Sequence, residues 1–527
     1  MRREHLWSRL TASPLVDLVV VGGGATGLGV ALDATLRGHT VVLLESNDFG
    51  SGTSSRSTKL LHGGVRYLAQ GQLPLVREAL RERTTVLHLA PHLAQPLPFV
   101  MPSYRWWQTP FYGLGLMAYD WLAGHARLGP TRWLSPHQTR HLLPGVAPTG
   151  LQGGVLYWDG QFEDARLALA LARTAAQAGA VLLNHAEVTA LEPIEPAARK
   201  GAHFRVQVQD RLQGGVCQLH ARAVVNATGV WVDGLRRSTG GGAFSPPHAP
   251  LVSPSQGVHV VVDRDFLPGD HALLVPRTAD GRVLFAVPWL GALLLGTTDT
   301  PRADVPSDPE PFDAELDFIL TEASRVLQRP VRRPDIRSQW VGLRPLVAAQ
   351  PGQGGGSSHS LSREHTIVVD PSGLVTVTGG KWTTYRAMAE DVMDTCVANG
   401  LLPARPGGST ARHRLVGAPE PGTQAVSITQ PPGPHLYGKE WPEVQTCPGA
   451  EVELGMGLTE AMVRFAARHE YACTVEDVLA RRWRVLFLDA ALARQMAPRV
   501  AAILQDETGL DPYLWSFLQL TTRYQPH

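Results

Sequence analysis

Asp17-Leu-Val-Val-Val-Gly22-Gly23-Gly24-Ala25-Thr26-Gly27-Leu-Gly29 is the stretch on which the fold turns. Its apolar, β-branched opening reads as a buried strand of a parallel sheet. Gly22-x-Gly24-x-x-Gly27 follows at once, an Ala/Leu-rich helix runs to Arg37-Gly38, and a second strand from Thr40 to Leu44 ends in Glu45. A lone G-x-G-x-x-G says little. Strand, glycines, helix, strand and a terminal acid about 20 residues on describe a dinucleotide-binding unit. Gly22 permits the tight turn, Gly24 lets backbone N–H groups approach a pyrophosphate, and Gly27 lets the helix pack on the strand. The helix N-terminus stabilises the anion, and the Glu45 carboxylate accepts from ribose hydroxyls.

Asp164–Ala178 reads as a helix, with Asp164 or Glu163 as N-cap and Gly179 just past its end. Ala221-Arg-Ala-Val-Val-Asn226-Ala227-Thr228-Gly229 is a second buried strand ending in a small-residue turn, suited to close over a dinucleotide from the other side. Short strands at 258–262, 272–275, 282–288 and 293–296 suggest an antiparallel sheet forming a substrate-facing domain. Strand character returns at 366–369 and 374–377, and Gly379-Gly380-Lys381 opens a helix to about Asn399. The Pro/Gly-rich stretch 401–440 reads as a linker. Helices are expected over 460–470, 475–482, 492–507 and 513–524, a C-terminal helical domain spanning 441–527.

Composition narrows the function. Of 527 residues, 44% are hydrophobic and 18% charged, enough for a large core and against disorder. Lys+Arg total 48 and Asp+Glu 47, so no nucleic-acid partner is expected. Cys217, Cys396, Cys447 and Cys473 show no ligand or framework spacing, so reduced thiols and no metal are expected. The apolar region from Leu15 to Leu32 is broken by Asp17 and several glycines, which favours a strand and helix over a secretory signal. The residues before it form a lead that either caps the domain or contacts lipid. No run is long and apolar enough to span a bilayer. A cytoplasmic protein lying on a membrane is the expectation.

The chemistry concentrates in residues 53–68, Thr53-Ser54-Ser-Arg56-Ser57-Thr58-Lys59-Leu-Leu-His62-Gly63-Gly64-Val65-Arg66-Tyr67-Leu68. Its hydroxyls can donate to a pyrophosphate, Gly63-Gly64 allow close backbone approach, and His62 is the residue type suited to proton exchange near neutrality. Arg66 offers a bidentate fork for a phosphate or carboxylate. Trp106-Trp107, Phe111-Tyr112, Met117, Tyr119 and Trp121, with Arg105, Arg127 and Arg132 nearby, suit a bilayer interface or a domain core.

Gly22–Gly29, Ser54–Leu68, Val225–Val232, Gly296-Thr-Thr298-Asp299, Gly342-Leu-Arg344-Pro345 and Gly379-Gly380-Lys381-Trp-Thr-Thr384-Tyr385-Arg386 occur in the order found in FAD-dependent glycerol-3-phosphate dehydrogenases. The chain resembles the aerobic, respiratory members of that group, within the wider D-amino-acid-oxidase-like flavoproteins. The resemblance covers nearly the whole chain, and Ser57 to Tyr67 is its most specific part.

The resemblance implies an α/β fold: a Rossmann-like FAD domain, an antiparallel-sheet substrate domain and a C-terminal all-α domain. The FAD and substrate parts interleave over 1–400, with FAD parts near 15–70, 150–235 and 340–400 and substrate parts near 71–149 and 236–339. FAD contacts are assigned to Gly22, Gly24, Gly27, Glu45, Thr53, Ser54, Ser57, Lys59, Gly63, Gly64, Ala227, Gly229, Gly380, Lys381 and Thr384. The resemblance places Arg66, Tyr67, Thr298 and Arg363 on the substrate and His62, Arg344 and Lys381 at the reacting centre. It implies oxidation of glycerol 3-phosphate to dihydroxyacetone phosphate, with electrons passing to a membrane quinone, in a peripheral protein on the inner face of the cell membrane. A homodimer is the assembly kept open. The rival acceptor is O₂, as in a glycerol-3-phosphate oxidase. A non-catalytic FAD-binding scaffold has no use for His62, Arg66, Arg344 and Lys381 together.

Overall fold

The computed structural model describes residues 3–12, 15–64, 72–195, 201–239, 249–348 and 365–526. Strand Leu15–Val21 lies at the centre of the first sheet because every residue from Leu18 to Val21 is apolar and buried. Each such side chain contributes roughly 1.5–3 kcal/mol by leaving water. Parallel neighbours flank it, Val41–Leu44 on one side and Val216–Asn226 on the other. Val181–Leu183 and Val375–Gly379 extend the sheet in parallel on either side, and His365–Val369 closes one edge antiparallel. Ala186–Pro193 and Phe204–Asp210 form an antiparallel meander with the first half of Val216–Asn226. Register sets Val21 opposite both Leu44 and Asn226, so Gly22, Glu45 and Ala227 emerge side by side at the carboxyl ends of three strands. That is where an open parallel sheet presents its ligand crevice. Helices Ala25–Leu36, Asp164–Gln177 and Tyr385–Ala398 pack together on this sheet.

The second sheet is larger than expected. Its strands run Thr300–Pro301, Val252–Asp263, Ala292–Gly296, Leu284–Trp289, Ala272–Val275, Ala94–Ser103, Gly153–Phe162 and Leu60–Leu61, with Ser338–Val347 paired along Val252–Asp263. It is antiparallel apart from the parallel contact of Ala272–Val275 with Ala94–Ser103. Leu60–Leu61, Gly153–Phe162 and Ser338–Val347 belong to it, although the sequence assigns the first two and residues 340–347 of the third to the FAD parts. Their apolar residues match either sheet, and only the long-range pairing decides.

The stretch 401–440 is not a loose linker. Ile428, Leu436 and Tyr437 are buried, and the amides of Leu290 and Gly291 donate to the carbonyls of Ile428 and Thr429. The prolines rigidify a strap laid on the body. Beyond it come a two-stranded hairpin (Glu453–Gly455 and Leu458–Thr459) and the helical segments Glu460–His469, Asp477–Arg482, Val485–Leu488, Ala490–Thr508 and Leu514–Tyr524. The N-terminal helix Arg3–Ala12 caps the first sheet, burying Leu6 and Leu10 and forking Arg3 onto Asp210. In helix Gln108–Ala123 and its N-cap Trp107 the large apolar residues divide by face. Tyr119 is buried, whereas Trp107, Phe111, Leu114, Met117 and Trp121 are exposed.

Candidate FAD-binding and active site

At the central strand end the backbone needs glycine for separate reasons. Gly22 has φ +110°, and a Cβ there would lie 2.5 Å from the Ala227 carbonyl oxygen. A Cβ on Gly27 would overlap the Gly22 carbonyl oxygen, so this glycine fixes how closely the helix sits on the turn. Gly24 differs: within 4 Å its Cβ would meet only Ser54 Oγ, at 3.1 Å, and would otherwise project into open cleft. Ala25 N–H donates to that Ser54 oxygen (2.9 Å) at the first turn of the helix. The Glu45 carboxylate is held by Gly23 N–H (2.7 Å) and Asn47 N–H (2.8 Å). Burial raises its pKa above the usual carboxylate range, and these backbone donors oppose that.

The loop beyond is pinned from behind. Thr53 Oγ1 donates to Leu343 O (2.5 Å), and the Trp382 indole donates to Ser54 O (2.8 Å). Lys59 is fully buried; its ammonium donates to Asp164 Oδ2 (2.7 Å) and Ser55 O (2.8 Å). Burial pushes its pKa down to about 8 against the pull of Asp164. Ser57 Oγ donates to the same Asp164 oxygen (2.7 Å). Further on, Gly63 N–H donates to the Tyr119 hydroxyl (2.8 Å), which in turn donates to Asp159 (3.2 Å).

From the second sheet, Arg344 lies over Gly257, where a side chain would collide with the guanidinium. It donates to Asp299 Oδ1 (3.1 Å), Thr298 O (2.9 Å) and Thr297 Oγ1 (3.2 Å). Thr298 itself is buried: its hydroxyl donates to Glu315 (2.9 Å) and accepts Val258 N–H (3.0 Å). These elements enclose a cleft of about 770 Å³ between the two sheets. That is within the range of cofactor and ligand pockets. Its lining includes Gly22, Gly24, Glu45, Thr53, Ser54, Ser57, His62, Ala227, Gly229, Arg344, Gly380 and Lys381.

Residues 17–392 match the FAD-dependent oxidoreductase family, and residues 410–513 match the C-terminal domain of alpha-glycerophosphate oxidase. The chain is 40% identical to the mitochondrial glycerol-3-phosphate dehydrogenase of Arabidopsis thaliana over 95% of its own length and 84% of the relative's. It is 38% identical to the human mitochondrial glycerol-3-phosphate dehydrogenase over 94% of its length and 71% of the relative's. It superposes on the Bacillus halodurans glycerol-3-phosphate dehydrogenase, solved with FAD, with a TM-score of 0.76 and 28% identity, covering 99% of this chain and 96% of that one. The chain belongs to the FAD-dependent oxidoreductases, within the glycerol-3-phosphate dehydrogenase group. FAD is its cofactor, and the cleft fits it: an anion-ready helix N-terminus, a bare Gly24 facing open space and the Glu45 carboxylate lie along one wall.

Set on this family site, the residues singled out from sequence divide into three sets. Those lining the cleft are named above. Gly27, Lys59, Gly63, Gly64, Thr298 and Thr384 lie outside the lining. Gly27 acts through packing, Lys59 braces the loop from behind, Gly63 bonds to Tyr119, and Thr298 anchors the turn that Arg344 grips. Gly64 has φ +78°, and Thr384 directly precedes helix Tyr385–Ala398, its hydroxyl donating to Lys381 O (3.4 Å). Arg66, Tyr67 and Arg363 lie outside the described residues.

The sequence reading missed Arg56 and His259, both in the lining. His259 stacks on Trp340, and its Nε2 is 2.9 Å from Thr58 Oγ1. Burial holds it well below its ordinary pKa, with Lys59 and Arg344 adding to the effect, so it is neutral. A lone polar residue inside the apolar run Val258–Val262 was its one signal. Asp48, His185 and Asp477 come together as metal-ligand types would. Arg481 and Arg482 pair with Asp48, and Arg481 with Asp477, so the cluster is an ion network.

Proposed function

We propose that the chain oxidises sn-glycerol 3-phosphate at C2 to dihydroxyacetone phosphate and passes the two electrons to a membrane quinone. The observation that carries this is the convergence of His62, Arg344 and Lys381 on the cleft that begins at the dinucleotide turn. FAD, when bound, supplies the hydride acceptor. Loss of hydride from C2 needs loss of the hydroxyl proton, and His62 is the residue assigned to take it. Arg344 and Lys381 stabilise the oxygen as it gains charge, and Arg344 is pre-aimed by Asp299 and Thr298. The roles of Arg66, Tyr67 and Arg363 at the phosphate rest on the family resemblance alone.

Membrane attachment is part of the same reading. No helix among the described residues is long and apolar enough to cross a bilayer. Trp106 (80% exposed), Phe111 (65%) and Trp121 (78%) stand out from the surface, with Leu114, Met117 and Trp133 beside them. An exposed aromatic and aliphatic helix face of this kind suits a bilayer interface, bringing the enzyme peripherally to the membrane that holds the quinone. The rival oxidase reading draws on the match of residues 410–513 to the C-terminal domain of alpha-glycerophosphate oxidase.

Anaerobic mixing with glycerol 3-phosphate should bleach the visible flavin band, and a quinone analogue should restore it. An unbleached flavin overturns the substrate assignment. Stoichiometric peroxide in air with no response to the quinone analogue selects the oxidase.

A further inference from the structure

The cofactor loop has a back wall built by the C-terminal helical domain. Residues 50–54 and 56–58 face the cleft, while Ser55 between them is buried. Its carbonyl oxygen accepts two cationic donors at once, Lys59 Nζ (2.8 Å) and Arg484 Nη2 (2.7 Å). Lys59 belongs to the loop; Arg484 comes from beyond the strap, 429 positions away. Arg484 is 1% exposed and is fixed in its turn: Nη1 donates to Ala480 O (2.8 Å), Nε sits 3.1 Å from Glu163 Oε1, and the guanidinium covers the Phe487 ring at 3.9 Å. Lys59 and Arg484 both hold positive φ, +65° and +62°. For non-glycine residues that conformation is strained and persists where surrounding contacts impose it.

The same domain grips the start of the loop. Arg481 and Arg482 pair with Asp48, whose other oxygen accepts Arg482 Nη2 (3.0 Å) and the Asn184 amide (3.0 Å). Three arginines from one short segment thus hold residues 48 and 55, on either side of the Gly50–Ser54 stretch that lines the cleft.

We infer that Arg484, supported by Arg481 and Arg482, is a positioning residue of the FAD site: the C-terminal domain fixes the Asp48–Lys59 loop in its cofactor-receiving shape. The oxidoreductase family match spans residues 17–392 and a separate family matches 410–513, so Arg481, Arg482 and Arg484 reach the cofactor loop from a distinct unit. In this chain the domain is therefore part of the cofactor site. The inference rests on the FAD assignment and is independent of the substrate and electron acceptor.

The test is a graded series in the full chain, with FAD affinity of the refilled apoprotein and hydrogen exchange as readouts. Arg484→Met removes the charge and the donors, and should raise the FAD dissociation constant about 10- to 100-fold. Arg484→Lys keeps the charge and loses the fork, so it should fall between parent and Arg484→Met. In both, amides 53–59 should exchange faster while helix Ala490–Thr508 exchanges as in the parent. A purely structural role would loosen that helix equally, and this result overturns the inference. So does an Arg484→Met protein that binds FAD as the parent does. If Arg484→Met does not fold, Arg484→Lys decides: unchanged affinity and unchanged exchange over 53–59 overturn the assignment.

Discussion

The turn Gly22–Gly29 and the loop Thr53–Gly64 face one cleft but are built by opposite means. The turn depends mainly on what is absent: side chains that would collide with backbone at Gly22 and Gly27. One of its constraints is local, Gly27 against Gly22, and others come from backbone or side chains far along the chain, Ala227 at Gly22 and Tyr385 at Gly29. The loop depends on what is present elsewhere. Leu343, Asp164, Trp382 and Arg484, all more than 100 positions away, hold its backbone and side chains. A site made by close approach tolerates no added atoms, whereas a site made by buried charge tolerates no missing partner.

The largest effect should come from the turn. Gly27→Val places branched carbon on the Gly22 carbonyl, so the chain should fail to accumulate as a folded, yellow protein. Gly24→Val should instead fold with near-parental circular dichroism and lose FAD, because its side chain enters the cofactor's space. Parental FAD content in Gly24→Val, measured by absorbance after gel filtration, would remove this turn from the cofactor site.

Next in size is the loss of a loop partner. Asp164→Ala leaves Lys59 buried without its carboxylate, while Arg484 keeps Glu163, and uncompensated buried charge costs about 3–5 kcal/mol. Urea unfolding of the apoprotein should show that loss. A change below about 1 kcal/mol would mean that the loop is held by packing, and the contrast with the turn would fail.

The smallest effect is a pH slope. Folding lowers the Lys59 pKa from about 10.5 to about 8, so between these values the unfolded chain binds more protons than the folded one. Stability from this group therefore rises with pH across that window and is lost as pH falls through 8. The urea midpoint at pH 10 minus that at pH 8 should be more positive in the parent than in Lys59→Met. Equal differences would show that Lys59 ionises alike in both states.

Much of this molecule was legible in the chain because its signals are local. The strand, glycines and acid of residues 17–45 follow one another in sequence, and helix Asp164–Gln177 ends at the C-cap Ala178, just before Gly179. Ala272–Val275 matches the expected strand end for end, and Glu460–His469 falls one residue short of its expected end, since period and caps act within a few residues. Sheet membership was not legible: an apolar strand such as Gly153–Phe162 suits either sheet, and only pairing with Ala94–Ser103 assigns it. Nor was the strap, whose prolines signal irregular backbone but not what it covers. The family resemblance assigns Lys59 to the cofactor, yet it lies outside the cleft lining. Its reversal to an internal brace follows from Asp164, which local spacing does not bring near. The sequence by itself determined where a dinucleotide is received, because the strand, the Gly22-x-Gly24-x-x-Gly27 spacing, the helix and Glu45 follow one another within about 30 residues. Tertiary structure alone decided which charges stand in the cleft and which stand behind it, because burial and ion pairing depend on residues that meet only when the chain has closed.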